Sequence, residues 1–464
     1  MSSLITATTD SPDGGGGNAS ADAVANPARM TLPGPSPDAN GASAGSLREL
    51  LHVAIPLVLS SGSLSLMHIV DRTMVTWHSE AAVAASMPGG MLHWTLMSFS
   101  FGAVSYVNTF VAQYDGSGRR DRVAAAIWQG LWLAIVSGLL LAVAIPWTRQ
   151  LIDLFGHAAE VHALEVEYFR VLSLGSAPAL ASAALSAFFS GRGRTMVLMA
   201  VNAVICVANG LSNAVLIFGW GPIPPRGIAG AAWGTVIAQT LGCCLYIAWM
   251  RLDPESRGYP FRAQCHIDWS LLERIGRYGT PNGVQYLVDV GAYLLLLVFI
   301  GRIGSREIAA TSIAFSLNSL AFIPMFGIGI AVSTLVGRRV GEERPQLAVR
   351  TTWLAFGLAT AFMLGWALVY LFGADLILEP FARYADPQQF AVLRPVVKTL
   401  LVFVVLYSVF EAMPIIFRSA LRGDRAYGGR ALRLLERHRA AAGGARNRLS
   451  DSLPAGTVAY DAGD

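Results

Sequence analysis

The chain has 464 residues, 54% of them hydrophobic and only 14% charged, with a formal net charge of +4 and a mean hydropathy of +0.50. Soluble domains carry about 25% charged residues, so this composition excludes an ordinary soluble protein and predicts an all-α polytopic membrane protein. The basic residues lie in loops between apolar segments, so the net charge does not indicate a nucleic-acid partner.

Residues 1–46 differ in composition from the rest of the chain. They are rich in glycine, proline and small polar residues, which bury too little apolar surface to fold. The stretch also lacks the basic region followed by an apolar region that marks a signal peptide. We therefore expect residues 1–46 to form a disordered leader in the cytoplasm.

Ten apolar segments follow from Leu50 onward, each near the length of about 20 residues that a bilayer requires. They lie near residues 51–76, 86–112, 123–148, 170–190, 196–218, 228–250, 278–300, 308–336, 351–373 and 396–420. If the N-terminus is inside, the inner loops carry 14 basic residues, whereas the outer loops and their edges carry 8. The positive-inside rule then predicts a multi-pass protein of the cell inner membrane with both termini in the cytoplasm.

The second half of the chain repeats the first at one constant offset, which we call the repeat offset. The identical pairs that define it are Pro56 and Pro281, Phe101 and Phe326, Gly102 and Gly327, Val111 and Val336, Gly116 and Gly341, and Trp128 and Trp353. Six spans separate the two copies, so both have the same orientation. The repeat therefore predicts two pseudo-symmetric helical bundles related by an axis along the membrane normal.

This repeat also sets the expected domain boundaries. An N-terminal bundle of six spans covers 47–250, and a cytoplasmic linker covers 251–277. A C-terminal bundle of four spans covers 278–423, and a basic tail outside the membrane covers 424–464. Two partner spans are missing from the second copy, so the sequence predicts an incomplete bundle. The tail is rich in Arg, Ala and Gly, and its composition resembles that of a GC-rich gene translated out of frame.

Three acidic residues lie inside the apolar segments: Asp71, Asp289 and Glu411. An ionised carboxylate at the centre of a bilayer costs roughly 2.5–3.5 kcal/mol on insertion scales, so such residues face a protein interior or a water-filled cavity. Asp289 is the clearest case, because polar residues share its helix face at spacings of three and four. These are Asn282, Gln285, Tyr286 and Tyr293. The competing interpretation is a protonated acid that only bonds neighbouring helices.

Several motifs, taken in order, resemble the multidrug and toxic compound extrusion (MATE) family, and in particular its NorM-like members. They are Pro56 followed by Asp71, Val111–Gly118, Leu216–Gly219, Gly227–Ala232, Val336–Glu342 and Arg418–Gly423. The resemblance covers about residues 47–423 and implies twelve helices in two lobes of six. It also implies a secondary active antiporter, not an enzyme, that exports organic cations in exchange for Na⁺ or H⁺ by alternating access.

The resemblance assigns roles to individual residues. Asp71 matches an acidic residue of the family's first helix, at the cation or proton site of the N-terminal lobe. Asn209, Asn213 and Thr235 match the residues that accompany it, although many relatives have Asp at the position of Asn213. In the other lobe Asp289, Tyr407 and Glu411 match the acidic site of NorM-like members. Na⁺, if it is the coupling ion, would bind at Asp71, Asp289 and Glu411, since hard cations take oxygen ligands.

His68 lies one helical turn before Asp71, and its side chain titrates near neutral pH. The competing interpretation is a histidine that packs and forms hydrogen bonds. With Gln285, Tyr286 and Tyr293 it is a candidate to line the path of the substrate. We expect a monomer in the lipid bilayer with hydrophobic organic cations as partners and no cofactor beyond the coupling ion.

Two alternatives remain open. A lipid-linked oligosaccharide flippase has the same superfamily architecture, but its cavity should be strongly basic to hold pyrophosphate, whereas these spans carry acids. The second alternative is a truncated remnant that does not transport, because the C-terminal bundle lacks two expected helices.

Overall fold

A computed structural model describes residues 44–153, 159–303, 305–382 and 387–425 of the chain. These residues form fourteen α-helices and two short 3₁₀ turns, and no β-strand occurs among them. The predicted all-α fold is therefore confirmed. Almost all of the predicted leader and tail lies outside the described residues.

The helices are numbered in chain order. They are α1 (Leu47–His78), α2 (Glu80–Ser105), α3 (Val107–Gly116), α4 (Arg120–Val143), α5 (Thr148–Asp153), α6 (Ala159–Leu174), α7 (Ser176–Ser190), α8 (Thr195–Phe218), α9 (Gly227–Leu252), α10 (Trp269–Ile303), α11 (Ser305–Gly341), α12 (Pro345–Phe372), α13 (Ala374–Ala382) and α14 (Pro387–Arg425). We call α1–α9 the N-terminal bundle and α10–α14 the C-terminal bundle.

Helices occur at all ten predicted spans. Seven helices in the described part are both long and apolar enough, and an eighth span results if α6 and α7, bent by 42° at their junction, count as one. Two long helices of the described part are not counted among these spans, namely α2 and α10, which are 26 and 35 residues long.

The two bundles meet through contacts that the internal repeat makes reciprocal. A Cβ at Gly116 would lie 2.2 Å from the backbone oxygen of Arg338, and a Cβ at Gly341 would lie 2.2 Å from that of Gln113. The repeat offset exchanges these two contacts. Only glycine permits such close approach of the two backbones, so the repeated glycines bring the ends of α3 and α11 together.

A second reciprocal pair lies deeper in the same interface. Asn108 Nδ2 donates a hydrogen bond to Thr334 Oγ1 at 3.1 Å, and the Thr109 and Ser333 hydroxyls lie 3.1 Å apart. The repeat offset again carries each bond onto the other. Equivalent residues thus meet at the same level along α3 and α11, which confirms two pseudo-symmetric bundles about an axis parallel to the helices.

The same symmetry operates between longer helices. Gly102 of α2 lies against the backbone of Gly283 in α10, and Gly327 of α11 lies against the backbone of Val58 in α1. These contacts also exchange under the repeat offset. Close packing of α2 on α10 and of α1 on α11 therefore joins the bundles along their length.

The segment between the bundles is fixed to the N-terminal bundle. Trp128 Nε1 donates to the carbonyl of Phe261 at 2.8 Å, and Gln129 Nε2 donates to the carbonyl of His266 at 3.1 Å. Tyr259 donates to the carboxylate of Asp115 at 2.8 Å. The linker is therefore held along much of its length by α3 and α4.

The predicted linker of 251–277 is shorter in the structure, because α10 begins at Trp269. Asp268 starts this helix: its carboxylate accepts from Ser270 Oγ at 2.6 Å and from Leu271 N at 3.0 Å, as an N-cap does. Arg122 of α4 also binds it at 2.8 Å. The Ser270 bond, then the Leu271 and Arg122 interactions, hold the pKa of Asp268 below its ordinary value despite partial burial.

Candidate cation sites in the two bundles

Four predicted residues meet in the N-terminal bundle. Asn213 Nδ2 donates to Asp71 Oδ1 and lies 3.4 Å from Asn209 Oδ1. Asn209 Nδ2 lies 3.4 Å from Thr235 Oγ1. Asp71, Asn209 and Asn213 are all buried. The structure thus brings residues of α1, α8 and α9 into one polar cluster, which we call the Asp71 cluster.

Close helix packing places these side chains together. Gly230 and Gly234 of α9 form a small-xxx-small spacing that lets helices in a membrane approach closely. A Cβ at Gly230 would lie 2.4 Å from the backbone oxygen of Leu216 in α8. Since α1 also packs on α8, Asp71 is enclosed by protein on the side that faces α8 and α9.

The donor set of this cluster suits a hard monovalent cation or a proton. It offers one carboxylate, two amide oxygens and a hydroxyl, and hard cations prefer oxygen ligands. Asn213 Oδ1 is buried and accepts no hydrogen bond from any described residue. This oxygen beside Asp71 is therefore available to coordinate a cation. Within the described ranges, no three His, Cys, Asp or Glu side chains cluster as a metal site would require.

His68 lies near the Asp71 cluster without belonging to it. Its side chain is exposed on α1, and it forms no hydrogen bond within the part of the chain that the structure describes. Tyr293, another candidate to line the path of the substrate, lies on α10. Tyr293 also stacks on Phe315 of α11, with ring centroids 3.9 Å apart.

The other two predicted carboxylates lie in the C-terminal bundle, so the three acids do not form one site. Asp289 is exposed on α10, and its carboxylate lies 3.7 Å from Arg418 Nη1 of α14. Glu411 lies on α14 and is partly buried. Glu411 Oε2 is buried and bonds to no described partner. Tyr407 lies one turn before Glu411 on α14.

The other polar residues that share the helix face of Asp289 have different partners: some contact α2, and one lies beside the acid itself. Asn282 is buried and donates to the backbone oxygen of Gly102 and, at 3.2 Å, to Ser105 Oγ. The ring of Tyr286 packs edge-on to Phe101 of α2 at 5.9 Å. Gln285 Nε2 lies 3.5 Å from the Asp289 carboxylate. Asn282 and Tyr286 thus join the bundles, while Gln285 stays beside the acid.

Arg418 is a residue that the sequence reasoning placed in a motif but not in a site. It follows Glu411 by seven residues, which is two helical turns and therefore the same face of α14. That spacing was the signal available in the sequence. Its pairing with Asp289, from another helix, was not visible there.

Comparison with known proteins now decides the family. The MatE family model matches residues 56–215 and 281–426, which include both copies of the repeat. The chain belongs to the MatE family. The predicted resemblance is confirmed, and the chain is a multi-pass membrane protein of a transporter family.

Relatives and solved structures agree with this assignment. "Probable multidrug resistance protein NorM" of Pseudomonas putida is 28% identical over 381 residues, covering 81% of this chain and 82% of that protein. The protein of the same name in Rhizobium meliloti is 30% identical over 317 residues, covering 67% and 68%. These matches support the NorM-like assignment.

The fold has close counterparts among solved structures. One is described as the "outward-facing conformation of a multidrug resistance MATE family transporter of the MOP superfamily". It superposes with a TM-score of 0.74 at 17% identity, covering 83% of this chain and 84% of that one. A MOP superfamily transporter from Pyrococcus furiosus, described with a binding pocket of reversed polarity, superposes with a TM-score of 0.74 at 18% identity. It too covers 83% of this chain and 84% of that one. At these identities the likeness establishes the fold.

Proposed function

We propose that this MatE protein exports hydrophobic organic cations in exchange for Na⁺ or H⁺. The observation that carries the proposal is the buried Asp71 cluster, in which one carboxylate is surrounded by amide and hydroxyl oxygens and Asn213 Oδ1 has no described partner. A buried charge is costly unless a partner compensates it. Binding a cation or a proton at Asp71 supplies that compensation.

The proposed mechanism is alternating access between the two bundles. A cation or proton that enters from outside binds Asp71, and a second acts at Asp289 and Glu411. Binding changes the charge of these carboxylates and the hydrogen bonds that Asn213 makes between α1 and α8. Each ligand drives the cycle only through a difference in its affinity for the two states, so drug and coupling ion must favour opposite states.

The orientation and assembly state belong to the same proposal. The arginine-bearing ends of α3 and α11 face the cytoplasm of the cell inner membrane, both termini lie there, and the chain acts as a monomer. The excess of basic residues in the loops at this end supports that orientation. A flippase of the same superfamily would need a basic cavity for pyrophosphate, whereas the Asp71 cluster is acidic.

Transport of ethidium into inside-out vesicles, which corresponds to export from the cell, tests the proposal. Inside-out vesicles that contain the chain are given either an imposed Na⁺ gradient or an imposed pH gradient, with empty-vector vesicles as the control. We expect one of the two gradients to drive ethidium transport. Absence of transport under both gradients, with the protein verified in the membrane, would contradict the proposed function.

A further inference from the structure

Glu49 and Arg339 join the two bundles by a buried ion pair. Glu49 lies in the first turn of α1, and Arg339 lies in the last turn of α11. Arg339 Nη2 donates to Glu49 Oε1, and the two side chains are only 3% and 9% exposed. At this degree of burial each charge depends on protein partners, and not on water, for its compensation.

The internal repeat relates this ion pair to a second contact. The repeat offset carries Glu49 onto Arg274 and Arg339 onto Tyr114. Arg274 Nη1 indeed donates to the Tyr114 hydroxyl at 3.1 Å, and this bond also runs from one bundle to the other. The pseudo-symmetric interface therefore has two equivalent contacts, of which one joins opposite charges and the other joins an arginine to a phenol.

Each charge of the ion pair also has a partner in its own bundle. Arg339 Nη1 donates to Glu342 Oε2 at 2.7 Å, three residues further along the chain. The Glu49 carboxylate accepts from the backbone nitrogen of Gly45 at 2.6 Å. If the bundles separate at this end, neither charge is left without a hydrogen-bonding partner. The contact is therefore suited to break and re-form.

We propose that the Glu49–Arg339 and Arg274–Tyr114 contacts form a latch that closes the arginine-bearing end of the transporter. Glu49 and Arg339 are positioning residues for transport, since they set the fraction of molecules that are closed at this end. This inference rests on the proposed alternating access, in which the same end must open to admit substrate. The ion pair is the stronger arm, because hydrogen bonds between two charged groups exceed those with one neutral partner.

The latch lies at the end of a tightly packed interface. Beneath it Gly116 and Gly341 bring the two backbones together, and Ser333 and Thr109 bond across the same surface. Ser333 is buried. A reagent in water reaches position 333 only when the bundles separate at this end, so this residue reports opening directly.

Thiol labelling of the full chain in proteoliposomes tests the latch. The native cysteines Cys206, Cys243, Cys244 and Cys265 are replaced by alanine, and Ser333→Cys supplies one thiol for a water-soluble maleimide. We expect Glu49→Gln to raise the labelling rate at position 333 roughly tenfold or more, because it removes the charge that compensates Arg339. Tyr114→Phe should raise it less.

Glu342→Gln is the matched control. It removes a carboxylate that also binds Arg339 but leaves the contact between the bundles in place, so the rate should stay near that of the parent. Glu49→Asp keeps the charge, so its labelling rate at position 333 should lie between those of Glu49→Gln and the parent. If Glu49→Gln prevents folding, Glu49→Asp and Tyr114→Phe still test the latch.

A second probe separates a latch from general loosening. His68→Cys places a thiol at an exposed site towards the other end of α1. A latch that shifts the population should raise labelling at position 333 and lower it at position 68. Unchanged labelling at 333, or an increase at both positions, would overturn the inference. If the labelling rates at positions 333 and 68 change as expected but no ion gradient drives ethidium export, the latch is supported and the proposed function is rejected.

Discussion

Gly234 of α9 lies directly against the amide of Asn213 in α8: a Cβ at position 234 would come within 1.9 Å of Asn213 Oδ1. The same amide donates through its nitrogen to Asp71. A backbone without a side chain on α9 is therefore what permits an asparagine to reach the buried carboxylate. Gly234 of α9 thus determines how closely Asn213 of α8 can approach Asp71 of α1.

Replacing this glycine is expected to disrupt the Asp71 cluster. Gly234→Ala forces Asn213 away and removes its hydrogen bond to the carboxylate, an interaction of roughly 1.5–3 kcal/mol for a charged acceptor. Cation affinity should fall about 10- to 100-fold, measured as the cation-dependent rise in melting temperature of the purified protein. Gly210→Ala is the control, since its Cβ would meet only Val70, at 3.7 Å. Equal cation responses in the two variants would contradict this account.

The charge of Asp71 should matter more than the histidine beside it. Asp71→Asn keeps the shape of the side chain but removes the charge that a cation or proton compensates. We expect lower efflux and a flatter dependence on pH or Na⁺ concentration, measured with ethidium in vesicles. His68→Gln should change both much less, because His68 is exposed and bonds to no described residue. A more damaging His68 variant would reverse this ranking.

Arg418 is expected to weaken cation binding in the C-terminal bundle. Its guanidinium lies 3.7 Å from the Asp289 carboxylate and shares a face of α14 with Glu411, so we expect it to compete with an added cation for these carboxylates. Partly exposed pairs contribute about 0.2–1 kcal/mol. Arg418→Gln should therefore lower the cation concentration for half-maximal efflux by about two- to fivefold.

Arg394→Gln provides the comparison for that variant. Arg394 also lies on α14 and pairs with Asp375, but both side chains are exposed and far along the helix from Glu411. The cation concentration for half-maximal efflux of the Arg394→Gln variant should match that of the parent. A shift in the opposite direction for Arg418→Gln would show that the arginine supports the site, and would reject competition.

Acid should loosen the start of α10. The pKa of Asp268 is lowered in the folded protein, first by the Ser270 hydrogen bond, so its ionised form stabilises the fold at any pH above the unfolded value of about 3.9. That stabilisation is lost as pH falls through the still lower folded pKa. The melting temperature of Asp268→Asn should thus lie below that of the parent at pH 7, and the difference should shrink below about pH 4. A difference that is constant with pH would exclude this carboxylate as its cause.

The residue pattern was sufficient to predict the helical class and the repeat, whereas the neighbours of Asp71 came from the family resemblance. The repeat offset pairs Gly116 with Gly341, and the structure places each of them against the backbone of the opposite segment. The sequence could not predict that α10 begins at Trp269, since Asp268 acts as an N-cap only through partners that include Arg122 from α4. Local signals fix helices, whereas contacts between helices decide their ends.

The site residues show the same division. Asn213 and Asp71 are 142 positions apart in the chain, and only a family resemblance placed them together. Asn282 and Tyr286 share a polar stripe with Asp289, yet they bind α2 because the neighbouring bundle lies against that part of the helix. Helix periodicity identifies a polar face but does not say which partner it meets.

Efflux by Asp289→Asn tests the central claim most directly. The claim is that carboxylates within the membrane couple cation or proton entry to export, and Asn has the size of Asp but cannot change charge. The variant, the parent and the surface control Asp375→Asn are compared at matched amounts in vesicles under the gradient that drives the parent. The account predicts that Asp289→Asn inserts normally but loses coupled ethidium efflux, while Asp375→Asn retains it. Efflux by Asp289→Asn at the parent's rate would contradict the claim.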